Sequence, residues 1–429
     1  GKKVICIEKD SIVGGISKTV CRNGYRFDIG GHRFFTKINR VDALWREVLT
    51  DDFLRRPRLS RIYYNNRFFH YPLKPANALA GLGILASGAI LASYLSARIH
   101  PSEEEKTFEQ WVSNRFGKKL YRIFFKTYTE KVWGIPCDQI AAEWAAQRIK
   151  GLSLSSAVKA AVFGDKQKKI KTLIEEFDYP RYGPGQMYES MAERIRAYGG
   201  QVLLGQEVRK LHCVGSTILS VEVRDEKGEM ERIEGSHFLS SLPISQLPRM
   251  GDSYLPETVE RACGQLSYRS LLTVNLIMDR PESFPDTWIY IHSPEVKVGR
   301  IQCFKNWSPW MVPNENVSSL GMEYFCDEND ELWNTADEDL ISMAGEEIDK
   351  LELAEKKAIT DAFVIRCPKT YPVYSIGYET NLQIIKEYLG GISNLQCIGR
   401  NGMFKYNNMD HSILSGLLAA DNILGGQND

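Results

Sequence analysis

The sequence lacks the usual marks of a metal or redox-disulfide protein. Its nine cysteines are scattered and odd in number, none forms a C-x-x-C pair, and no His/Cys cluster has zinc spacing. This excludes a zinc ribbon or thioredoxin-type centre and predicts reduced thiols in a cytoplasmic protein. No signal-peptide pattern opens the sequence. Surplus charge is also missing: Lys plus Arg and Asp plus Glu each number 54, a balance that gives no support for a nucleic-acid role, which needs a basic surface. There is no internal repeat, no low-complexity linker and no G-x-G-x-x-G phosphate loop. What remains is an ordinary globular composition, 43% hydrophobic and 25% charged, in 429 residues, enough for one large domain or two to three smaller ones.

Three stretches carry chemistry. The first is "VICIEKDSIVGGISKTV", residues 4–20. An apolar run fit for a strand buried on both faces ends at Glu8, and Gly14-Gly15 follows after a short loop. An acid at a strand end can accept ribose hydroxyls, and paired glycines let backbone approach phosphate. A surface acid after a strand would look the same. The second is "GYRFDIGGHRFF", 24–35, where Gly30-Gly31 would let a flat ring lie against backbone beside His32. A tight turn with a core histidine is the alternative. The third is "IGRNGMFKYNNMDHSILSGLLAADNI", 398–423: a strand ends at Gly399-Arg400 and a helix begins near Asp410-His411-Ser412. Its N-terminus offers unpaired amides and partial positive charge, although a packed terminal helix needs no ligand.

Between these landmarks the pattern changes several times. Residues 54–71 read as an Arg-rich lead-in and a hairpin turning at Asn65-Asn66. Residues 75–97 carry no charge at all and predict a buried helix or helical pair, with contact to a membrane surface or a lipid-linked substrate as the alternative. Residues 102–160 look helical. After "PRYGPG", Met187, Met191 and Ile195 recur at helical spacing until Gly199-Gly200. From 201 to 240 the period shortens to two, more strand-like runs fill 268–326, and the last 35 residues return to an α/β pattern.

Taken together, these stretches resemble the FAD-dependent amine-oxidase superfamily, which includes protoporphyrinogen oxidase-like proteins, and within it the UDP-galactopyranose mutase-like branch. The resemblance runs from residue 1 to about 425. It implies an α/β fold: a Rossmann-like FAD domain from 1–55, 200–245 and 385–429, a mixed-sheet substrate domain from 56–74 and 246–384, and a helical insert over 75–198. It further implies a first strand and phosphate loop upstream of Gly1, about 30 residues long. Glu8, Gly14, Gly15, Gly30, Gly31, His32, Arg400, Asp410, His411 and Ser412 then fall in the cofactor motifs, "SSLPISQL" lies near the cofactor, and Val208 would meet adenine through its backbone. The final helix N-terminus would face the flavin pyrimidine edge.

The mutase-like stretches are "YTEKVWG", "PRYGPG", "SYRS" and "YPVY". In that resemblance Arg181 and Arg300 clamp a nucleotide-sugar diphosphate, Trp133 meets sugar or base, Tyr371 and Tyr374 bond phosphate or hydroxyls, and Arg400 lies between flavin and substrate. "GGHRFFTK" and the uncharged run depart from the mutase pattern. The expected partner is a small molecule, a nucleotide-sugar among the candidates. The expected chemistry is hydride transfer to flavin N5. The alternatives are a redox-neutral, mutase-type rearrangement assisted by reduced FAD, or a remnant that has lost FAD.

Overall fold

The computed structural model describes residues 2–71, 73, 75–148, 176–252 and 254–425; the helical reading beyond residue 148 lies outside the described residues. The chain forms a mixed α/β structure around five apolar clusters. Its opening apolar run forms the strand Ile5–Ile7, which pairs in parallel with Gln201–Leu203, and the Glu8 amide donates to the Leu203 carbonyl at 2.9 Å. A second parallel pair joins Phe238–Ser240 to Leu395–Cys397. Ile7, Val208, Phe238 and Leu395 pack against one cluster, so the beginning, middle and end of the chain meet there. Parallel pairing of such distant strands needs long crossovers, which the intervening chain supplies.

The largest sheet has seven strands. Its order is Ile359–Pro372, Tyr268–Met278, Ser318–Cys326, Arg300–Cys303, Trp288–Ile291, Ser60–Tyr64 and Arg67–His70. All neighbours are antiparallel except Trp288–Ile291 with Ser60–Tyr64. The predicted hairpin is present: Asn65 and Asn66 both have positive φ, 51° and 55°, as a two-residue turn between right-twisted strands requires. One sheet face buries Ile289, Ile301, Met322 and Leu272 against the helix Asp337–Lys350. Side chains alternate along a strand, so Tyr290, Arg300, Glu323 and Thr273 share the opposite face.

The uncharged run forms the helices Pro75–Leu82 and Ile84–Ile99, broken at Gly83, whose φ is +85°. The helical pair is there, but burial is not. Ile90 is buried against the insert, whereas Ile84 and Leu85 are each 92% exposed and Leu91, Leu95 and Ile99 are also exposed. Only one side has cover, from the helices Phe108–Phe116 and Lys118–Tyr121, so residues apolar on every face leave part of themselves in water. No helix among the described residues is long and apolar enough to cross a membrane.

Candidate active site

The polar sheet face is built by register. Tyr290, Arg300, Glu323 and Thr273 are successive cross-strand partners, which forces their side chains together. Arg300 Nε donates to Glu323 Oε1 at 2.8 Å, its Nη2 donates to Oε2, and Gln302 Nε2 donates to Oε1 at 2.7 Å. Burial opposes the charge of Arg300, but the Glu323 carboxylate and the nearby Tyr128 and Tyr371 outweigh it and hold the guanidinium above its ordinary range.

Backbone lies directly on this ion pair. A Cβ on Gly31 would stand 3.3 Å from Gln302 Nε2 and from the Trp307 ring; one on Gly30 would stand 3.4 Å from Arg300 Nη2, and Gly30 has φ +86°. Hence only glycine suits position 30. His32 follows. Burial, then the charges of Arg400 and Arg300, pushes its imidazole down to about 3, so it is neutral at physiological pH. Its Nδ1 is buried without a hydrogen-bond partner.

Arg400 closes the far side. Its Nε donates to the Asn407 carbonyl at 3.0 Å and its Nη1 to the Thr370 carbonyl at 3.3 Å. Its guanidinium lies 5.4 Å from the Tyr371 ring centre and 4.7 Å from that of Tyr406, and the two rings stack at 5.4 Å. Trp133 is buried 6.1 Å from Tyr406 and 6.3 Å from Tyr374, whose hydroxyl accepts from the Tyr406 amide at 2.6 Å. A π turn at Arg122–Lys126 shifts the helical phase just before Tyr128, which stacks on His292 at 4.9 Å. Gly134, in left-handed conformation, ends the helix that carries Trp133. A Cβ there would come within 2.4 Å of Arg269 Cζ. Gly134→Ala is therefore expected to cost about 2–3 kcal/mol, read as a lower denaturant midpoint, from backbone strain plus displacement of that guanidinium. An unchanged midpoint would contradict this packing.

Arg300, Tyr371, Arg400 and Trp133 are thus brought together with Gly30, Gly31 and His32. Arg181 has other partners. Its guanidinium reaches Asp52 at 3.3 Å and lies 5.0 Å from the Trp310 ring centre, beside a surface hollow of about 430 Å³ that Tyr182, Trp310 and Arg26 help to line. Both arginines expected to clamp a diphosphate therefore have carboxylate partners, on separate elements. Glu323 and Gln302 escaped notice in the sequence. A lone acid inside the fully buried strand "SSLGMEYFC" was the available signal, because a buried carboxylate needs a partner.

The remaining motif residues form a second group. Glu8 Oε1 accepts from the Asp10 amide at 2.9 Å, and the Gln206 amide donates to the Glu8 carbonyl, which sets the strand end beside the segment carrying Val208. Gly14 has φ +108° and abuts Tyr188, while the Cβ direction of Gly15 is open. Tyr188 packs in one cluster with Phe34 and Met409, the first residue of the final helix Met409–Gly425. In that helix's first turn, His411 Nδ1 and Asp410 Oδ1 are 2.8 Å apart, and the Ser412 amide donates to the Asn408 carbonyl. The three sequence stretches therefore converge.

The family described as flavin containing amine oxidoreductase matches residues 1–424. This chain belongs to that family. It is 22% identical over 329 residues to a probable UDP-galactopyranose mutase of Klebsiella pneumoniae, covering 75% of this chain and 62% of that protein. The chain thus spans less than two thirds of that relative's length. Among solved structures, reduced UDP-galactopyranose mutase superposes with a TM-score of 0.84 at 19% identity, covering 100% of this chain and 96% of that one. A putative protoporphyrinogen oxidase from Exiguobacterium sp. 255-15 superposes with a TM-score of 0.71 at 16% identity, covering 99% and 93%.

The cofactor of the family is FAD, and the residues fit it. His32 Nδ1 and Asn401 Oδ1 are buried polar atoms with no partner, and a ring with donors and acceptors would satisfy them. Gly15 opens onto space, and Gly399, at φ +72°, has only Ser241 Cβ near its own Cβ position, at 3.7 Å. Asp410 already supplies a negative charge to the final helix's first turn. Among the described residues no cluster of His, Cys, Asp and Glu could hold a metal ion.

Proposed function

We propose that this protein is a flavin-dependent enzyme for an anionic substrate of nucleotide-sugar type, working by a redox-neutral, mutase-type rearrangement. The observation that carries the reading is the charge of the site. Arg33, Arg58, Arg300 and Arg400 gather on and beside one sheet face, and the one carboxylate in the ionic row, Glu323, is already bonded by Arg300 and Gln302. A protonated amine there would meet the guanidiniums of Arg33, Arg58 and Arg400, which have no carboxylate partner among the described residues; at 4–5 Å each such encounter costs about 3–4 kcal/mol at an effective dielectric near 20. A diphosphate would be attracted by the same amount. The name of the relative, a UDP-galactopyranose mutase, supports the same substrate class.

In this reading Glu8 and Val208 hold the adenosine end of the cofactor, and the glycines at 14, 15, 30 and 31 admit it to the backbone. When bound, the flavin supplies the electron-rich centre that the reaction needs. The chain's residues do the rest. Arg400 orients substrate between Tyr371 and Tyr406, neutral His32 offers a hydrogen bond without competing positive charge, and Trp133 provides an apolar wall for a sugar ring.

The family match favours a second reading, hydride removal from an organic substrate by the flavin. Anaerobic assay of the flavin-loaded protein with a UDP-sugar separates the two. Mutase-type chemistry is expected only after chemical prereduction, with an isomeric product and no net redox change. Bleaching of oxidised flavin by the substrate under argon would overturn it in favour of the oxidoreductase. A protein that stays colourless with FAD would leave only the remnant.

A further inference from the structure

Arg33, inside the stretch 24–35, and Arg58, in the Arg-rich lead-in, were given no role of their own above, yet beside the site they lack any carboxylate partner among the described residues. The Arg33 guanidinium lies 5.5 Å from the Trp288 ring centre and that of Arg58 lies 5.4 Å from the same ring. Arg58 also lies 4.9 Å from the Tyr71 ring centre, and Tyr71 packs on Tyr290 at 4.7 Å. Tyr290 is the cross-strand partner of Arg300. No hydrogen bond or ion pair joins Arg33 to any described residue, and Arg58 has only the hydroxyl of Ser60, at 3.2 Å. Both side chains are half-buried. Burial, followed by Arg58, works against the Arg33 charge. Between them, Trp288 is 4% exposed and its indole N–H is buried with no acceptor.

Two guanidiniums without a carboxylate partner thus meet on one ring, whose own buried N–H lacks an acceptor. Elsewhere in the chain comparable arginines are compensated: Arg61 by Asp286, Arg300 by Glu323 and Arg22 by Asp361. Like charges held on one ring repel unless an anion lies between them, and a tetrahedral oxyanion presents several acceptors to such a group. We propose that Arg33, Arg58 and the Trp288 N–H form an anion subsite that takes a phosphoryl group of the substrate. It rests on the anionic-substrate reading and assigns the phosphoryl contact to this pair in place of Arg181 and Arg300.

Calorimetric titration with inorganic pyrophosphate tests it, using the wild-type protein and the Arg33→Gln, Arg58→Gln and doubly substituted proteins. Wild type is expected to bind pyrophosphate, more weakly as salt rises. Each single substitution should weaken binding at least tenfold, as loss of a charge-assisted bond does, and the double should abolish it. The Arg33→Lys/Arg58→Lys protein keeps the charge and should bind with intermediate affinity, which guards against a folding artefact. Arg22→Gln, at the distant Asp361 pair, should change nothing. Undiminished pyrophosphate binding in the double Gln variant overturns the subsite. So does tighter binding of succinate than of pyrophosphate, which would make it a carboxylate site. A wild type that binds UDP with an affinity indifferent to both arginines sinks the subsite alone. One that binds neither UDP nor pyrophosphate sinks the anionic-substrate reading with it.

Discussion

Arg300→Met is expected to destabilise the protein by about 3–5 kcal/mol, because it leaves a buried carboxylate without its counter-charge. Glu323 is fully buried on the central strand Ser318–Cys326, with Gln302 as its other side-chain partner. Against a typical total stability of about 5–15 kcal/mol, this loss is large. The double variant Arg300→Met/Glu323→Leu should recover most of it, since two apolar side chains of similar volume remove both desolvation costs at once. Urea unfolding of the wild type, both single variants and the double variant gives the coupling directly. Equal losses in the single and double variants would mean that the pair is not the unit described here.

Asp28→Asn is expected to change the pH dependence of stability by a similar amount. Asp28 is buried; it accepts from Thr19 Oγ1 at 2.8 Å and from the Tyr179 hydroxyl. Burial outweighs both bonds and raises its carboxyl from 3.8 to about 7. A raised acid favours the folded state while it is protonated. Its contribution is complete below about pH 4 and is lost as pH rises toward 7, amounting to about 4 kcal/mol for a shift of about three units. His32 and His292, both pushed down to about 3 by burial, act oppositely: their contributions are present above the ordinary histidine value and are lost as pH falls. The wild-type curve therefore mixes both trends, and the difference between Asp28→Asn and wild type isolates the carboxyl. That difference should grow in favour of the variant between about pH 4 and 7 and level off above. A difference independent of pH would contradict the assignment.

Much of this arrangement was legible in the sequence where the signal is local. Asn65-Asn66 announced a tight hairpin turn, Gly199-Gly200 closed the helix Gly185–Ala197, and the final helix begins at Met409, beside the expected Asp410-His411-Ser412. Glu8, the glycine pairs and Arg400 could be picked out because particular residue types sit at strand ends and helix starts. The polar row across the large sheet was not legible. Its members are spread over residues 273–323, and only strand register brings them together. The partner of Arg181 was hidden for the same reason, since Asp52 reaches it through the pairing of Phe53–Pro57 with Glu176–Pro180. Exposure of residues 84–99 escaped because the uncharged sequence reports hydrophobicity but not how many neighbours the fold supplies.

The proposed function rests on a cluster of arginines at one face of the large sheet, proposed to favour phosphorylated over amine ligands. Equilibrium titration of the FAD-loaded protein with UDP and, separately, with a diamine such as putrescine addresses it most directly. UDP should bind, with affinity falling as salt rises, and the diamine should neither bind nor reduce the flavin. Flavin reduction by the diamine in a protein indifferent to UDP would contradict the account.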